Sequence, residues 1–165
     1  MQPELAAPNW TLTNTPPLWP LEFFTVALNL KMAALIDDCD SGKFGHVWDI
    51  SSRRRNDDGK VPRRELRVFF RDGLALLQRR PLCQLTYEEC LWEFIPATRG
   101  LKGTELQKHW CCGPDLIHDL DSSGLIQVER ERLAERGPRA SRLYSRASII
   151  QFLKNRAIVR DPTLN

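Results

Sequence analysis

The strongest constraint on the fold of this chain is an internal repeat within its 165 residues. Residues 22–44 resemble residues 104–126 at a constant offset of 82, which places Gly42 on Gly124 and Asp37 on Asp119. Farther along, the offset becomes 75, so that residues 67–71 fall on residues 142–146. The first copy therefore holds seven extra residues between its glycine and its last strand. Such self-similarity predicts two structurally similar units.

Local signals in the second copy predict two short helices separated by a tight turn. Thr104 and Gln107 form a capping-box pattern, which indicates the start of the first helix. Residues 111–113 form the turn, and Pro114 suits the first position of the next helix because that position needs no backbone N–H donor. Gly124 can adopt a positive φ and is expected to end the second helix.

A β-hairpin and a final helix are predicted to follow these two helices. Residues 125–133 and 141–145 alternate as paired strands do, and the final helix begins near Arg146. The first copy predicts the same order of elements, with its hairpin at residues 44–70 and a longer tip at residues 52–60. Each copy therefore predicts the order helix, turn, helix, hairpin, helix.

The residues between the copies predict a connector helix that packs the two units together. Thr86 and Glu89 form a second capping-box pattern, and Pro96 ends the helix.

Residues 1–20 hold five of the eleven prolines and predict an extended arm. The predicted fold class is mainly α-helical with small β-hairpins. The chain divides into an arm, a first unit, a connector helix and a second unit at residues 1–20, 21–80, 81–100 and 101–160.

Composition predicts a cytoplasmic protein with reduced thiols and no association with a membrane. No apolar run approaches the roughly 20 residues that cross a bilayer. The first five residues lack the basic and apolar regions of a signal peptide. The five cysteines are an odd number and none are spaced as CxxC, which argues against a disulfide framework.

The formal net charge of +3 hides an alternation of charge along the chain. Residues 1–52 carry a net charge of −4, residues 53–80 carry +6, residues 81–124 carry −4 and residues 125–165 carry +5. Both positive blocks coincide with predicted hairpins, and both negative blocks include a predicted helix pair. Basic hairpins favour a polyanionic partner, although a solvated hairpin surface would also carry such charges.

Residues 101–158 resemble the excisionase-like branch of the MerR superfamily of winged helix-turn-helix proteins. The resemblance rests on the two short helices with their turn, on residues 123–126 leading into the first wing strand, and on residues 142–153, a strand followed by a helix with a Phe-Leu pair. The repeat extends it to residues 21–80. The resemblance implies two tandem winged helix-turn-helix units that bind double-stranded DNA, with the second helix of each in the major groove and the hairpin, or wing, beside it.

The candidate DNA-binding residues lie mainly on the two predicted wings, because phosphate attraction supplies most of the affinity for DNA. On or beside the first wing these are Arg53, Arg54, Arg55, Lys60, Arg63 and Arg64. On or beside the second wing they are Arg130, Arg132, Arg136, Arg139 and Arg142. Lys31 and His118 add one candidate on the second helix of each unit. The same helices carry Asp37, Asp38, Asp115 and Asp119, which repel phosphates, so the wings are favoured over the helices.

The sequence predicts neither an enzyme nor a cofactor, and no catalytic residues are assigned. Zinc ligands usually come in CxxC or HxxxH pairs, which this chain lacks, so no metal site is predicted. The residues considered for such a site are His109, Cys111, Cys112, Cys39, Cys83 and Cys90. A phosphate-binding glycine loop is also missing, because residues 100–103 are too short and lack the following Lys-Ser/Thr.

These patterns predict a cytoplasmic, nucleoid-associated DNA-binding protein, either excisionase-like or a transcriptional regulator. Its expected partners are double-stranded DNA and a recombinase or another protein, and its expected state is a monomer or a weak homo-oligomer. Two alternatives stay open. One is a phage DNA-packaging protein that resembles a terminase small subunit. The other is a protein-interaction adaptor that retains the fold without DNA binding.

Overall fold

The computed structural model describes residues 15–52, 63–129 and 142–158, and the structural statements below concern these residues. They form seven helices and two small antiparallel sheets, a mixed α/β fold. In chain order the elements are β1 (Leu18–Pro20), α1 (Glu22–Ala27), α2 (Met32–Asp40), β2 (Val47–Asp49), β3 (Leu66–Phe69), α3 (Phe70–Leu77), α4 (Tyr87–Phe94), β4 (Leu101–Lys102), α5 (Gly103–His109), α6 (Pro114–Ser122), β5 (Leu143–Tyr144) and α7 (Arg146–Arg156).

The elements on either side of α4 follow the same order. Each half starts with a strand and two helices and ends with a strand followed by a helix. In the first half β2 pairs with β3, and in the second half a single bridge from Val128 to Tyr144 takes the place of β2. Helices α2 and α6 have the same length and lie 82 residues apart at both ends. This offset matches the one in the sequence.

Helices α2 and α6 end in the same hydrogen-bonded motif. The N–H of Lys43 donates to the Asp38 carbonyl and the N–H of Leu125 donates to the Leu120 carbonyl, both at 2.9 Å. The preceding glycines have φ of 82° and 70°. This left-handed glycine closes the last turn of a helix and satisfies its free carbonyls. The predicted role of Gly124 is confirmed.

Other local predictions are confirmed in part. At the start of α4, Glu89 N–H donates to Thr86 Oγ1 at 3.2 Å, and Thr86 N–H donates to the Glu89 carboxylate at 2.7 Å. The predicted start of α5 at Thr104 is wrong. Lys102 is the N-cap, and its N–H donates to the Glu105 carboxylate at 2.8 Å. The helix begins earlier because Glu105, and not Gln107, supplies the side chain that bonds back.

The predicted arm is too long at its inner end, because strand β1 belongs to the first sheet. The sheet order is β1-β3-β2, with Leu18 opposite Phe69 and Val47 opposite Val68. Leu18 and Trp19 are buried. Pro20 fits at the end of β1 because an edge strand has one side without ladder hydrogen bonds. The short second sheet pairs β4 with β5.

The first sheet is buried on both faces. The apolar cluster on one face contains residues of both halves, so the halves pack against each other there. Trp19 and Val68 pack with α1 and α2 on one face. Leu18, Trp48 and Phe69 belong to a second cluster that includes residues of α4, α5, α6 and α7. Strand β2 also forms a bridge from Trp48 to Ala157, just after α7. Helix α4 contributes Cys90, Leu91 and Phe94 to this second cluster.

The side chain of Arg67, in β3 of the first half, donates hydrogen bonds to backbone carbonyls of the second half. Arg67 is 4% exposed. Its Nε donates to the Trp110 carbonyl at 2.6 Å, and Nη2 donates to the Cys111 carbonyl at 3.1 Å. Nη1 donates to the Leu66 carbonyl at 3.0 Å. Arg67 thereby satisfies carbonyls at the end of α5, beside a residue held at φ 46°.

Asp72 of α3 organises a second buried contact, which fixes the segment before α4. Its fully buried carboxylate accepts hydrogen bonds from the His46 N–H at 2.9 Å and from the Cys83 N–H at 2.8 Å, and it lies 2.6 Å from His46 Nδ1. The other ring nitrogen, Nε2, lies 2.5 Å from the Leu85 carbonyl oxygen. Burial opposes charge on the ring, but the hydrogen bond and charge of Asp72 outweigh it and raise the pKa of His46.

We expect Arg67→Lys to lower the free energy of unfolding by about 2 kcal/mol or more, because a single ammonium cannot replace the forked donors and leaves a buried carbonyl unpaired. The matched control is Arg64→Lys. Arg64 is also paired, but its side chain is 37% exposed, so the control should lose less than about 1 kcal/mol. Urea unfolding followed by circular dichroism measures both losses. Equal losses would contradict the bridging role of Arg67.

A second prediction compares two glycines that have similar backbone angles. Gly45 has φ 72°, and a Cβ there would lie 2.6 Å from Cγ of Asp72, whose carboxylate cannot move without losing its buried bonds. Gly124 has φ 70° with open space around it. Gly124→Ala should cost about 1–2 kcal/mol of backbone strain, and Gly45→Ala about 2 kcal/mol more. Thermal unfolding of both variants checks the difference, and similar midpoints would refute it.

Candidate nucleic-acid interface

The predicted DNA-binding residues fall into two groups with respect to the structure. Those on the wing tips lie outside the described residues; they are Arg53, Arg54, Arg55, Lys60, Arg130, Arg132, Arg136 and Arg139. Five others can be placed: Lys31, Arg63, Arg64, His118 and Arg142.

Arg64 and Arg142 are held by carboxylates of their own half. Arg64 makes a two-pronged ion pair with Asp40, at 2.8 and 3.1 Å. Nη1 of Arg142 lies 3.3 Å from the Asp121 carboxylate, which also accepts a hydrogen bond from the Tyr144 hydroxyl at 2.9 Å. Both guanidinium groups therefore have a carboxylate partner within their own half, and their contact with phosphate stays a prediction. Their role in the structure is to tie the strand after each wing to α2 or α6.

Lys31, Arg63 and His118 are exposed. Lys31 is the N-cap of α2. His118 lies on α6, where its Nε2 is 3.5 Å from the Ser122 hydroxyl. The three residues belong to three separate parts of the chain.

The second helix of each half is acidic. Helix α2 carries Asp37, Asp38 and Asp40, and α6 carries Asp115, Asp119 and Asp121; neither helix contains Lys or Arg. The ion pairs with Arg64 and Arg142 neutralise one carboxylate in each helix, and Lys43 neutralises Asp38 at 2.9 Å. The remaining carboxylates would repel phosphates if either helix entered a groove.

The described residues next to the two wing-tip segments lie near the end of α6. Ser52, the last described residue before the first wing tip, lines a surface depression together with Ser122, Ser123 and Leu125 at the end of α6. Arg142, the first described residue after the second wing tip, pairs with Asp121 in the same helix. Ser52 and Arg142 therefore lie at neighbouring places, both near the end of α6.

The two wing-tip segments, residues 53–62 and 130–141, each carry a net positive charge. Together they contain eight basic and four acidic residues, a net charge of +4. The rest of the chain contains sixteen basic and seventeen acidic residues, a net charge of −1. Within that remainder, residues 63–80 contain six basic and two acidic residues, and residues 142–158 contain four basic residues and no acidic one.

The structure brings together a different set of metal-binding side chains from the set considered in the sequence. His109 is largely buried, its Nδ1 has no partner, and burial lowers its pKa. Cys111 and Cys112 are half-buried beside it. Within the described part of the chain, the candidate group of three is His46, Cys83 and Cys90. Sequence analysis missed His46 because no Cys or His lies close to it in the sequence.

Among the helices of the described segments, none is long and apolar enough to span a lipid bilayer. Comparison of the chain with protein-family models, with curated proteins and with solved structures finds no significant match.

Proposed function

We propose that this protein binds double-stranded DNA through two basic wings carried by tandem winged helix-turn-helix units. The observation that supports the proposal best is the placement of Ser52 and Arg142, the described residues next to the two wing-tip segments. Ser52, just before the first wing-tip segment, lies beside the end of α6, and Arg142, just after the second, pairs with Asp121 of the same helix. The segments that begin and end there carry a net charge of +4, whereas the remainder of the chain carries −1.

The affinity would come from phosphate contacts made by the wings. Each basic side chain that neutralises a phosphate releases a condensed counterion, which makes binding favourable at low salt and weak at high salt. Because both wings belong to one chain, the first contact raises the effective concentration of the second. The protein could therefore grip two places on a duplex without forming a dimer.

The acidic helices would play a smaller part in this binding mode. A carboxylate on α2 or α6 can accept a hydrogen bond from the amino group of cytosine, which would add selectivity but little affinity. The ion pairs of Arg64 and Arg142 reduce the repulsion between these helices and DNA. The resemblance to excisionase-like proteins then suggests a recombination accessory factor or a transcriptional regulator.

The six carboxylates of α2 and α6 favour a second candidate function, a protein-interaction adaptor. In that case the acidic helices would face a basic protein partner, and the chain would have no measurable affinity for DNA. Binding to a DNA duplex distinguishes the two candidate functions.

We expect the protein to bind a random-sequence DNA duplex with a steep dependence on salt. With five to eight phosphates neutralised, the slope of log Kobs against log salt concentration should lie between about −4.5 and −7. Fluorescence anisotropy with a labelled duplex measures this slope. Absence of binding at low salt would reject the DNA-binding proposal and favour the adaptor.

Variants of the two wings test whether both contact DNA. The triple variant Arg53→Ala, Arg54→Ala, Arg55→Ala should make the slope less steep by about 2.7, and the double variant Arg136→Ala, Arg139→Ala by about 1.8. Circular dichroism should show unchanged folding. Binding by a variant that equals the wild type removes that wing from the mechanism.

The control for these variants makes the same charge change away from the wings. Arg71 and Lys154 pair with Glu93 and Glu88, and Arg80 is exposed after α3. The triple variant Arg71→Ala, Arg80→Ala, Lys154→Ala should keep the wild-type slope. An equal loss in this control would mean that net charge, and not the wings, governs binding.

A further inference from the structure

His46, Cys83 and Cys90 converge from three separate parts of the chain. His46 precedes β2, Cys83 lies between α3 and α4, and Cys90 lies within α4. One potential ligand atom from each residue lies within 4.8 Å of the other two. Cys90 is fully buried, His46 is 8% exposed and Cys83 is half-buried. Imidazole and thiolate groups at such short separation are the ligands that Zn²⁺ prefers.

Asp72 holds the imidazole in the orientation that a metal ligand needs. Its carboxylate lies 2.6 Å from His46 Nδ1 and accepts a hydrogen bond from the Cys83 N–H at 2.8 Å. A metal-binding histidine commonly donates its other ring N–H to a carboxylate, which selects the tautomer and makes the ligand more basic. Here one carboxylate orients both the imidazole and the backbone of a neighbouring thiol.

The second ring nitrogen of His46, Nε2, is the atom that an ion could bind, because Asp72 holds Nδ1. Nε2 lies 2.5 Å from the Leu85 carbonyl oxygen. If Nδ1 carries the proton donated to Asp72, both Nε2 and this oxygen are lone-pair acceptors facing each other. A cation bound at Nε2 would separate these two acceptors. The two nearby thiols distinguish this site from an ordinary buried His–Asp pair.

We propose that His46, Cys83 and Cys90 bind one Zn²⁺ ion, with Asp72 as the carboxylate that orients the imidazole. From Zn–S and Zn–N lengths of about 2.3 and 2.0 Å, tetrahedral ligands lie roughly 3.5–3.8 Å apart, so the three groups would move inward by about 1 Å or less. Both thiols lose their protons to the solvent on binding, and the two thiolates balance the charge of the ion. A water molecule would supply the fourth ligand, and the Leu85 carbonyl oxygen, now 2.5 Å from Nε2, would turn away to admit the ion.

The site would be structural and independent of DNA binding. It joins the turn before β2 to α4, the helix that packs the two halves together. An ion that binds only the folded chain stabilises it in proportion to the logarithm of its concentration relative to Kd. Zinc would therefore stabilise the packing of α4 against the turn before β2. None of its three protein ligands adjoins a wing-tip segment.

The test uses the full chain, purified with a reductant and freed of metal with a chelator. Titration with Co²⁺ should produce thiolate-to-cobalt charge-transfer absorption that saturates at one equivalent and disappears when Zn²⁺ is added. Zn²⁺ should also raise the thermal unfolding midpoint, whereas Mg²⁺ should not. Cys83→Ser should abolish the absorption, and the matched half-buried control, Cys112→Ser, should keep it.

Several results would overturn the proposal. One is Co²⁺ absorption without a thiolate band, and another is a band that Cys83→Ser leaves intact. A disulfide between Cys83 and Cys90, detected as three free thiols of the five, would also exclude the site. If Cys90→Ser fails to fold, Cys83→Ser still decides the question, since Cys83 is partly exposed. None of these readouts depends on DNA binding.

Discussion

The burial of strand β3 on both faces is the constraint on which the rest of the structure depends. All four of its residues are buried, because α1 and α2 cover one face of the sheet while α4 and the second half cover the other. One of these four residues is Arg67, and a buried guanidinium must find acceptors. It finds them in the carbonyls at the end of α5. Apolar packing and this polar contact therefore hold the halves together at the same place.

Local chemistry in the sequence was sufficient to predict several element boundaries. The capping box at Thr86, Pro114 at the start of α6 and the left-handed Gly124 each act over a few residues, so each is visible in a short window. The start of α5 shows the limit of such patterns. Two overlapping start signals lie there, Thr104 with Gln107 and Lys102 with Glu105, and the helix uses the second. Strand β1 was missed because three residues ending in proline carry no alternation, and only pairing with β3 makes them a strand.

The candidate site was less predictable because its contacts are distant in sequence. Arg64 and Arg142 read as free basic residues, but their partners lie 24 and 21 residues away on helices that the tertiary fold brings close. His46 meets Asp72 across 26 residues and Cys83 across 37. Charge segregation, in contrast, is a property of composition and can be predicted directly. The sequence could therefore show how charge is distributed along the chain, but not which basic side chains already pair with a carboxylate.

The shared core also has a geometric consequence for any duplex that the wings contact. Two modules on a flexible tether can adjust to different separations between their sites. Here Ser52 and Arg142, the described residues next to the two proposed wing tips, belong to one body, so the distance between them is set by side-chain packing. A duplex turns once in about 10 base pairs, and a rigid pair of contacts meets its phosphates in only one rotational phase. Shifting one contact by half a turn would place it on the far side of the double helix.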